Sequence, residues 1–166
     1  YNEGCISCNN EKCKICNVGF YLDNGKCFPC PSGKYNKKAG SACDDCKVDH
    51  ACSTTDMIPC ESGHGANAGD ASCTPCQNSN AACLECTTPT QCTKCTQGYY
   101  LSNGTCVKCS VNSKCDGTSD PVSCDAGYGS DASGTTCIPC NISLPHCVEC
   151  DNLDKCTQCE AGYDLD

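Results

Sequence analysis

Of the 166 residues, 26 are cysteines, many of them in C-x-x-C pairs such as CISC from Cys5 to Cys8, CKIC from Cys13 to Cys16 and CLEC from Cys83 to Cys86. That pattern can serve three chemistries. Four thiolates complete a tetrahedral zinc shell, but the usual spacing puts about 15 to 20 residues between the two pairs. CISC and CKIC are separated by only Asn9 to Lys12. A dithiol redox centre needs a C-x-x-C at a helix N-terminus after a βαβ pattern, and no stretch here supplies that helix. The third chemistry is cross-linking, and an even count of cysteines in so short a chain favours it. We therefore assign no residue a catalytic, cofactor-binding or metal-ligating role.

Other reactive side chains are sparse. His50, His64 and His146 lie in separate loops, and no nucleophilic triad, paired-carboxylate motif or glycine-rich phosphate loop is present. The acidic residues are scattered through loops and read as a solvated surface. Two N-glycosylation sequons stand out, at Asn103-Gly104-Thr105 and Asn141-Ile142-Ser143, and N-linked glycans are expected on both asparagines.

The composition sets the frame for these residues. Val, Ile, Leu, Met and Phe together number 20 and Trp is absent, too little for an ordinary hydrophobic core, so covalent links must constrain the chain. The net charge is −9 and all 11 basic residues are Lys. Nucleic acid is a poor partner, and none is expected, since the densest basic cluster, Lys34, Lys37 and Lys38, is one loop and not a stripe. No run of 18 apolar residues forms a membrane span in this stretch. The thiol content points to an oxidising location, extracellular or at the cell surface, with targeting and anchoring sequences outside the stretch that starts at Tyr1.

The cysteines mark internal repeats. From Cys5 the chain reads C-ISC-NNEK-CKIC-NVGFYLDNGK-CFPC, and from Cys83 C-LEC-TTPTQ-CTKC-TQGYYLSNGT-CVKC; a third copy from Cys147 stops within the motif. Between them recur C-x-x-G loops, CPSGKYNKKAGSACDDC, CESGHGANAGDASCTPC and CDAGYGSDASGTTCIPC. The modules are expected at 1–30, 31–82, 83–109, 110–146 and 147–166. Asn24-Gly25 and Asn103-Gly104, each preceded by aromatic residues, suit the positive φ angles of a tight hairpin turn. The fold expected is small and disulfide-rich: an elongated tandem array of short β-hairpin and loop modules with little helix.

Spacing narrows the pairing without fixing it. A nearest-neighbour scheme joins Cys16 to Cys27, Cys30 to Cys43, Cys46 to Cys52, Cys60 to Cys73, Cys95 to Cys106, Cys109 to Cys115 and Cys124 to Cys137. It also joins Cys8 to Cys13, Cys76 to Cys83, Cys86 to Cys92, Cys140 to Cys147 and Cys150 to Cys156. A rival scheme crosses the bonds, for example Cys83 to Cys92 with Cys86 to Cys95. Nearest-neighbour pairing leaves Cys5 and Cys159 over. Joining the end of one copy to the start of another gives CTQC-EAGYDLDYNEG-CISC, close to CKIC-NVGFYLDNGK-CFPC, so a Cys159 to Cys5 bond in a head-to-tail array is one expectation. The other is a fragment of a longer ectodomain whose flanks continue the motif.

The run CxxC, four or five residues, CxxC-xx-G[FY]YL-x-NG-x-CxxC resembles furin-like and growth-factor-receptor cysteine-rich repeats, and the C-P-x-G-x-Y opening at Cys30 resembles Eph-receptor-like and TNF-receptor-like loops. Their alternation along a Lys-rich, Arg-free chain is similar to protist surface coats, ciliate immobilisation antigens first and diplomonad variant-specific surface proteins second. The resemblance implies a glycosylated, non-catalytic ectodomain. Two function classes follow: a structural coat or filament protein that associates with itself or continues as the same array, or an adhesion or receptor ectodomain that binds a ligand along the rod.

Overall fold

Each C-x-x-G segment places its fourth residue at positive φ, which turns the chain and starts a new loop. Gly33 sits at φ 78°, and where the motif carries Asp49 or Asn112 instead, they take φ 62° and 59°. Asparagine and aspartate tolerate this left-handed region better than other side chains, so the substitution preserves the turn. The carbonyl of that residue then accepts a hydrogen bond from the cysteine N–H that ends the loop. Cys30 donates to Gly19 at 2.8 Å, while Cys46 donates to Gly33, Cys60 to Asp49 and Cys76 to Gly63, each at 2.9 Å. Downstream, Cys109 donates to Gly98, Cys124 to Asn112 and Cys140 to Gly127, again at 2.9 Å. One backbone frame therefore underlies loops of different length and sequence.

A computed structural model describes residues 3–165. The chain divides into two compact units, Tyr1–Ser79 with Cys86–Pro89, and Asn80–Glu85 with Thr90–Asp166. In the first, β1 (Cys5–Asn9) pairs with β2 (Lys12–Cys16), β3 (Phe20–Asp23) with β4 (Lys26–Pro29), and β5 (Lys34–Tyr35) with β6 (Asp44–Asp45), all antiparallel. β7 (His50–Cys52) pairs with β8 (Met57–Pro59), and β9 (His64–Gly65) with β10 (Thr74–Pro75), before a 3₁₀ turn at Cys76–Asn78. Strand β11 (Cys83–Thr88) comes next in the chain, and β12 (Gln91–Cys95) lies in the second unit.

In the second unit β13 (Tyr99–Ser102) pairs with β14 (Thr105–Lys108), and β15 (Ser113–Lys114) with β16 (Val122–Ser123). The strands β17 (Tyr128–Ser130), β18 (Cys137–Pro139), β19 (Cys147–Asn152) and β20 (Lys155–Cys159) form one sheet in the order β18-β17-β19-β20, with α1, a single turn at Cys140–Ser143, before β19. The two Asn-Gly hairpins share a register, Leu22 opposite Cys27 and Leu101 opposite Cys106, with φ 47° at Asn24 and at Asn103. The fold is thus nearly all short hairpins in tandem, as the turn chemistry requires. Among the described residues no helix is long and apolar enough to cross a membrane.

The interior is sulfur. Among the described residues, every buried apolar side chain is a cysteine except Ala66 and Ala82, whereas Ile58, Val111 and Ile142 are 58%, 66% and 69% exposed. Twelve disulfides close loops with separations of 6 to 13 residues. On the chain-entropy account each such closure contributes about 2 to 3 kcal/mol. Backbone bonds carry the frame from loop to loop: Gly19 N–H donates to Asn36 O and Asn36 N–H to Thr54 O, each at 3.0 Å. In the second unit Cys95 N–H donates to Gly117 O at 2.8 Å and Cys115 N–H to Gly134 O at 2.9 Å. Asn36, 1% exposed, is saturated: its amide nitrogen donates to Phe20 O and Ser41 O at 3.1 and 2.8 Å, and its Oδ1 accepts from Lys38 N–H at 2.7 Å.

Candidate functional site

The functional framework is the cysteine ladder. Cys16 bonds Cys27, Cys30 bonds Cys43, Cys46 bonds Cys52 and Cys60 bonds Cys73 in the first unit. Cys95 bonds Cys106, Cys109 bonds Cys115 and Cys124 bonds Cys137 in the second. The remaining bonds depart from nearest-neighbour pairing. Cys5 bonds Cys13, Cys83 bonds Cys92 and Cys147 bonds Cys156, while Cys86 and Cys150 reach back to Cys76 and Cys140. The expected pairs of Cys8 with Cys13, Cys76 with Cys83, Cys86 with Cys92, Cys140 with Cys147 and Cys150 with Cys156 are corrected accordingly. Of the rival scheme's example, the bond from Cys83 to Cys92 is present, but Cys86 bonds Cys76 and not Cys95.

Local strand geometry explains the correction. In an ideal strand, residues three apart face opposite ways, but register shifts interrupt β1 between Cys5 and Cys8 and β19 between Cys147 and Cys150. Cys147 and Cys150 are consequently both buried, with Val148 exposed between them. In register Cys150 lies opposite Cys156, yet it is Cys147 that bonds Cys156, leaving Cys150 to the preceding loop. Gly129 makes room for that bridge: a Cβ there would stand 2.7 Å from Cys150 Sγ. Gly65 holds the same place in its loop, where a Cβ would stand 2.9 Å from Cys86 Sγ.

Cys8 and Cys159 are the cysteines without a disulfide partner among the described residues. Cys5, expected to be left over and to bond Cys159 of the preceding copy, is bonded to Cys13, and that junction is corrected. Cys8 is exposed, and its Sγ lies 3.0 Å from Cys5 Sγ; Cys13 Sγ in turn lies 3.2 Å from Cys27 Sγ. The sulfurs of Cys5, Cys13 and Cys27 fall within 4.8 Å of one another. All three are in disulfides, and a disulfide sulfur lacks the thiolate charge a metal requires.

The three histidines and the aspartates Asp116 and Asp131 have structural partners. His50 Nδ1 lies 2.9 Å from Val48 O, and His64 Nδ1 3.5 Å from Ser62 O. His146 Nδ1 lies 3.2 Å from Glu160 Oε2, and its ring stacks on Tyr163 with centroids 3.7 Å apart. Asp116 accepts from the N–H and hydroxyl groups of Ser119 and Thr118, which hold its carboxyl well below the usual range. Asp131 is pushed down to about 2, chiefly by the Ser133 hydroxyl at 2.6 Å, with Thr135 and Thr136 N–H groups adding to it. These are capped loops in which the carboxylate replaces missing backbone partners. Both sequon asparagines are exposed, Asn103 at the tip between β13 and β14 and Asn141 in α1.

Sequence reading missed Asn36, a buried polar residue in a loop rich in other polar residues. It also missed Gly65 and Gly129; in CESGHGA and CDAGYGS the second glycine was the available signal.

Comparison with known proteins agrees with a cysteine-rich repeat. The chain is 28% identical over 153 residues to Cysteine repeat modular protein 2 of Tetrahymena thermophila, covering 90% of this chain and 6% of that protein. It is 30% identical over 114 residues to Protein disulfide isomerase CRELD1 of Xenopus tropicalis, covering 68% and 22%. It is 29% identical over 134 residues to Cysteine-rich with EGF-like domain protein 2-B of Xenopus laevis, covering 64% and 37%. The chain thus spans less than two fifths of the length of each of these relatives. No family model and no solved structure matches. With the twelve bridges above, these likenesses make this chain a cysteine-rich, disulfide-bonded, repeat-like protein.

Proposed function

We propose that this chain is a non-catalytic, extracellular structural module: a segment of a disulfide-stapled surface coat or filament, glycosylated at Asn103 and Asn141. The observation that carries the reading is the sulfur interior. A fold whose buried apolar residues, Ala66 and Ala82 apart, are bridged cysteines persists where disulfides persist, outside the reducing cytosol. Loops of different length on a repeated backbone frame are what an extended array accommodates, since each module needs only its neighbours. On this reading the segments 1–30, 31–82, 83–109, 110–146 and 147–166 are successive modules of an elongated rod. The isomerase activity named for CRELD1 belongs to that protein. Here the C-x-x-C sulfurs, Cys8 and Cys159 apart, are consumed in structural bonds, so the chain is read as having no exchange activity of its own.

Scattering and glycopeptide mapping test the proposal together. We expect a radius of gyration well above the roughly 15 Å of a compact domain of this length, glycans at Asn103 and Asn141 in native material, and no acceleration of insulin reduction by a dithiol. A compact radius or measurable reductase turnover would overturn it. The second reading, an adhesion or receptor ectodomain, draws on exposed apolar side chains of the first hairpins, Ile6 at 57%, Leu22 at 45% and Phe28 at 41%. Imaging of native material separates the two, since a coat protein gives continuous filaments or sheets and a receptor gives isolated short rods.

A further inference from the structure

The bonding register of the repeats gives the two unpaired cysteines a direction each. In CLEC and CVEC the first cysteine bonds forward to the next C-x-x-C, Cys83 to Cys92 and Cys147 to Cys156. The second bonds backward by ten residues to the closing cysteine of the preceding loop, Cys86 to Cys76 and Cys150 to Cys140. CISC follows the same rule at its first position, where Cys5 bonds Cys13. Cys8 therefore occupies the place of Cys86 and Cys150. The backbone agrees: Asn17 N–H donates to Gly4 O at 2.7 Å, as Thr96 donates to Ala82 and Glu160 to His146, both at 2.8 Å. Yet Cys86 and Cys150 are buried, at 7% and 4% exposure, while Cys8 is exposed.

Cys159 is the mirror case. It holds in CTQC the place of Cys16 in CKIC and Cys95 in CTKC, which bond forward by eleven residues to the far strand of a hairpin, at Cys27 and Cys106. The frame for that hairpin has begun, since Gly162 stands three residues after Cys159 at φ 97°, as Gly19 and Gly98 follow Cys16 and Cys95 at φ 78° and 81°.

We propose that Cys8 and Cys159 are linking half-cystines, Cys8 taking the closing cysteine of a preceding module and Cys159 a hairpin cysteine of a following one. The module is a further repeat of the same kind; a second copy of residues 1–166 supplies neither partner, because its closing and hairpin cysteines are bridged and only its own Cys8 and Cys159 are free. Each link forms one S–S bond from two thiols, with two protons and two electrons passing to an oxidising disulfide such as glutathione disulfide, which leaves as two thiols. The inference deepens the structural-module reading and rests on it.

Disulfide mapping of unreduced material from the native source, alkylated before digestion, is the test. We expect the Cys8 and Cys159 peptides each to be cross-linked to a further cysteine peptide. A partner from outside residues 1–166 is the result expected, and Cys8 or Cys159 bonded to Cys8 or Cys159 of a second copy, in material of multiple-chain mass, would overturn the proposal. In the isolated 166-residue chain at monomer mass, alkylation should mark Cys8 and Cys159, falling from two labels to one in Cys8→Ser and to none in the Cys8→Ser/Cys159→Ser double variant. Cys8 bonded to Cys159 at single-chain mass, Cys8 bonded to Cys5 or Cys13, or both thiols free in native material would overturn the proposal. A bond from Cys8 to Cys5 or Cys13 replaces the one between Cys5 and Cys13 and leaves eleven internal bridges, the other results leave all twelve, and the structural reading stands in each case. That reading fails separately, if the internal bridges themselves are scrambled in the native material.

Discussion

Gly129 shows how little freedom a sulfur-filled interior leaves to a single side chain. Its Cβ position is taken by Cys150 Sγ at 2.7 Å and by the Asn152 backbone at 3.1 Å, and backbone does not yield as a flexible side-chain end would. Gly129→Ala should therefore destabilise the fold by about 1 to 3 kcal/mol. Thiol labelling should show Cys140 and Cys150 reactive in that variant and unreactive in the parent. Asn36 is the polar counterpart. Truncating it strands Phe20 O, Ser41 O and Lys38 N–H, so Asn36→Ala should cost about 1 to 3 kcal/mol in denaturant unfolding with the bridges intact. Asp131 titrates in the folded chain near 2, below its ordinary 3.8, so the stability it contributes is fully present above about pH 4 and lost as pH falls through 2. Amide exchange at Thr135 and Thr136, corrected for intrinsic rates, should show constant protection down to pH 4 and falling protection below pH 3.

At the level of elements, the hairpins β3–β4 and β13–β14 were legible because Asn-Gly fixes the turn and the turn fixes the register. Repeat organisation was legible for the same reason: C-x-x-G encodes a backbone conformation as well as a spacing. The crossed bonds at Cys147 and Cys150 were not, because they depend on bulges that no residue type announces in C-x-x-C, and of the matching pair the bond from Cys83 to Cys92 stood only as an open alternative while that from Cys86 to Cys76 was missed. The same blindness assigned the leftover thiol to Cys5 when it belongs to Cys8. Bridges and ladder bonds act together within an element, which predicts how far a cut spreads. Removing the bond between Cys95 and Cys106 in a Cys95→Ser/Cys106→Ser variant should lower the local opening free energy by about 2 to 3 kcal/mol. Hydrogen exchange should then accelerate across β13 and β14 and at Cys92, whose N–H donates to Gly104 O at 2.8 Å. Exchange in β17 and β18, held by the bond between Cys124 and Cys137, should not change. Acceleration of β17 and β18 to the same degree would show that the modules open as one.

For the molecule as a whole, the decisive quantity is what remains when sulfur no longer cross-links. A conventional domain that loses its disulfides still buries aliphatic and aromatic side chains, and often keeps part of its structure. Here Ile6, Ile58, Val111, Val122, Ile142 and Leu165 are all more than half exposed, and among the described residues the buried apolar ones other than cysteine are Ala66 and Ala82. Reduction removes twelve loop closures and restores the chain entropy they suppressed, while the burial that remains is that of small thiols. The short hairpins cannot compensate, since isolated two-stranded ribbons are marginal in water. Full reduction at neutral pH, without denaturant and with the thiols blocked, should therefore unfold every module. The amide proton dispersion of the oxidised chain should collapse and protection should vanish along its whole length. Dispersion surviving in the blocked, reduced chain would mean that the hydrogen-bonded frame, and not sulfur, holds the fold.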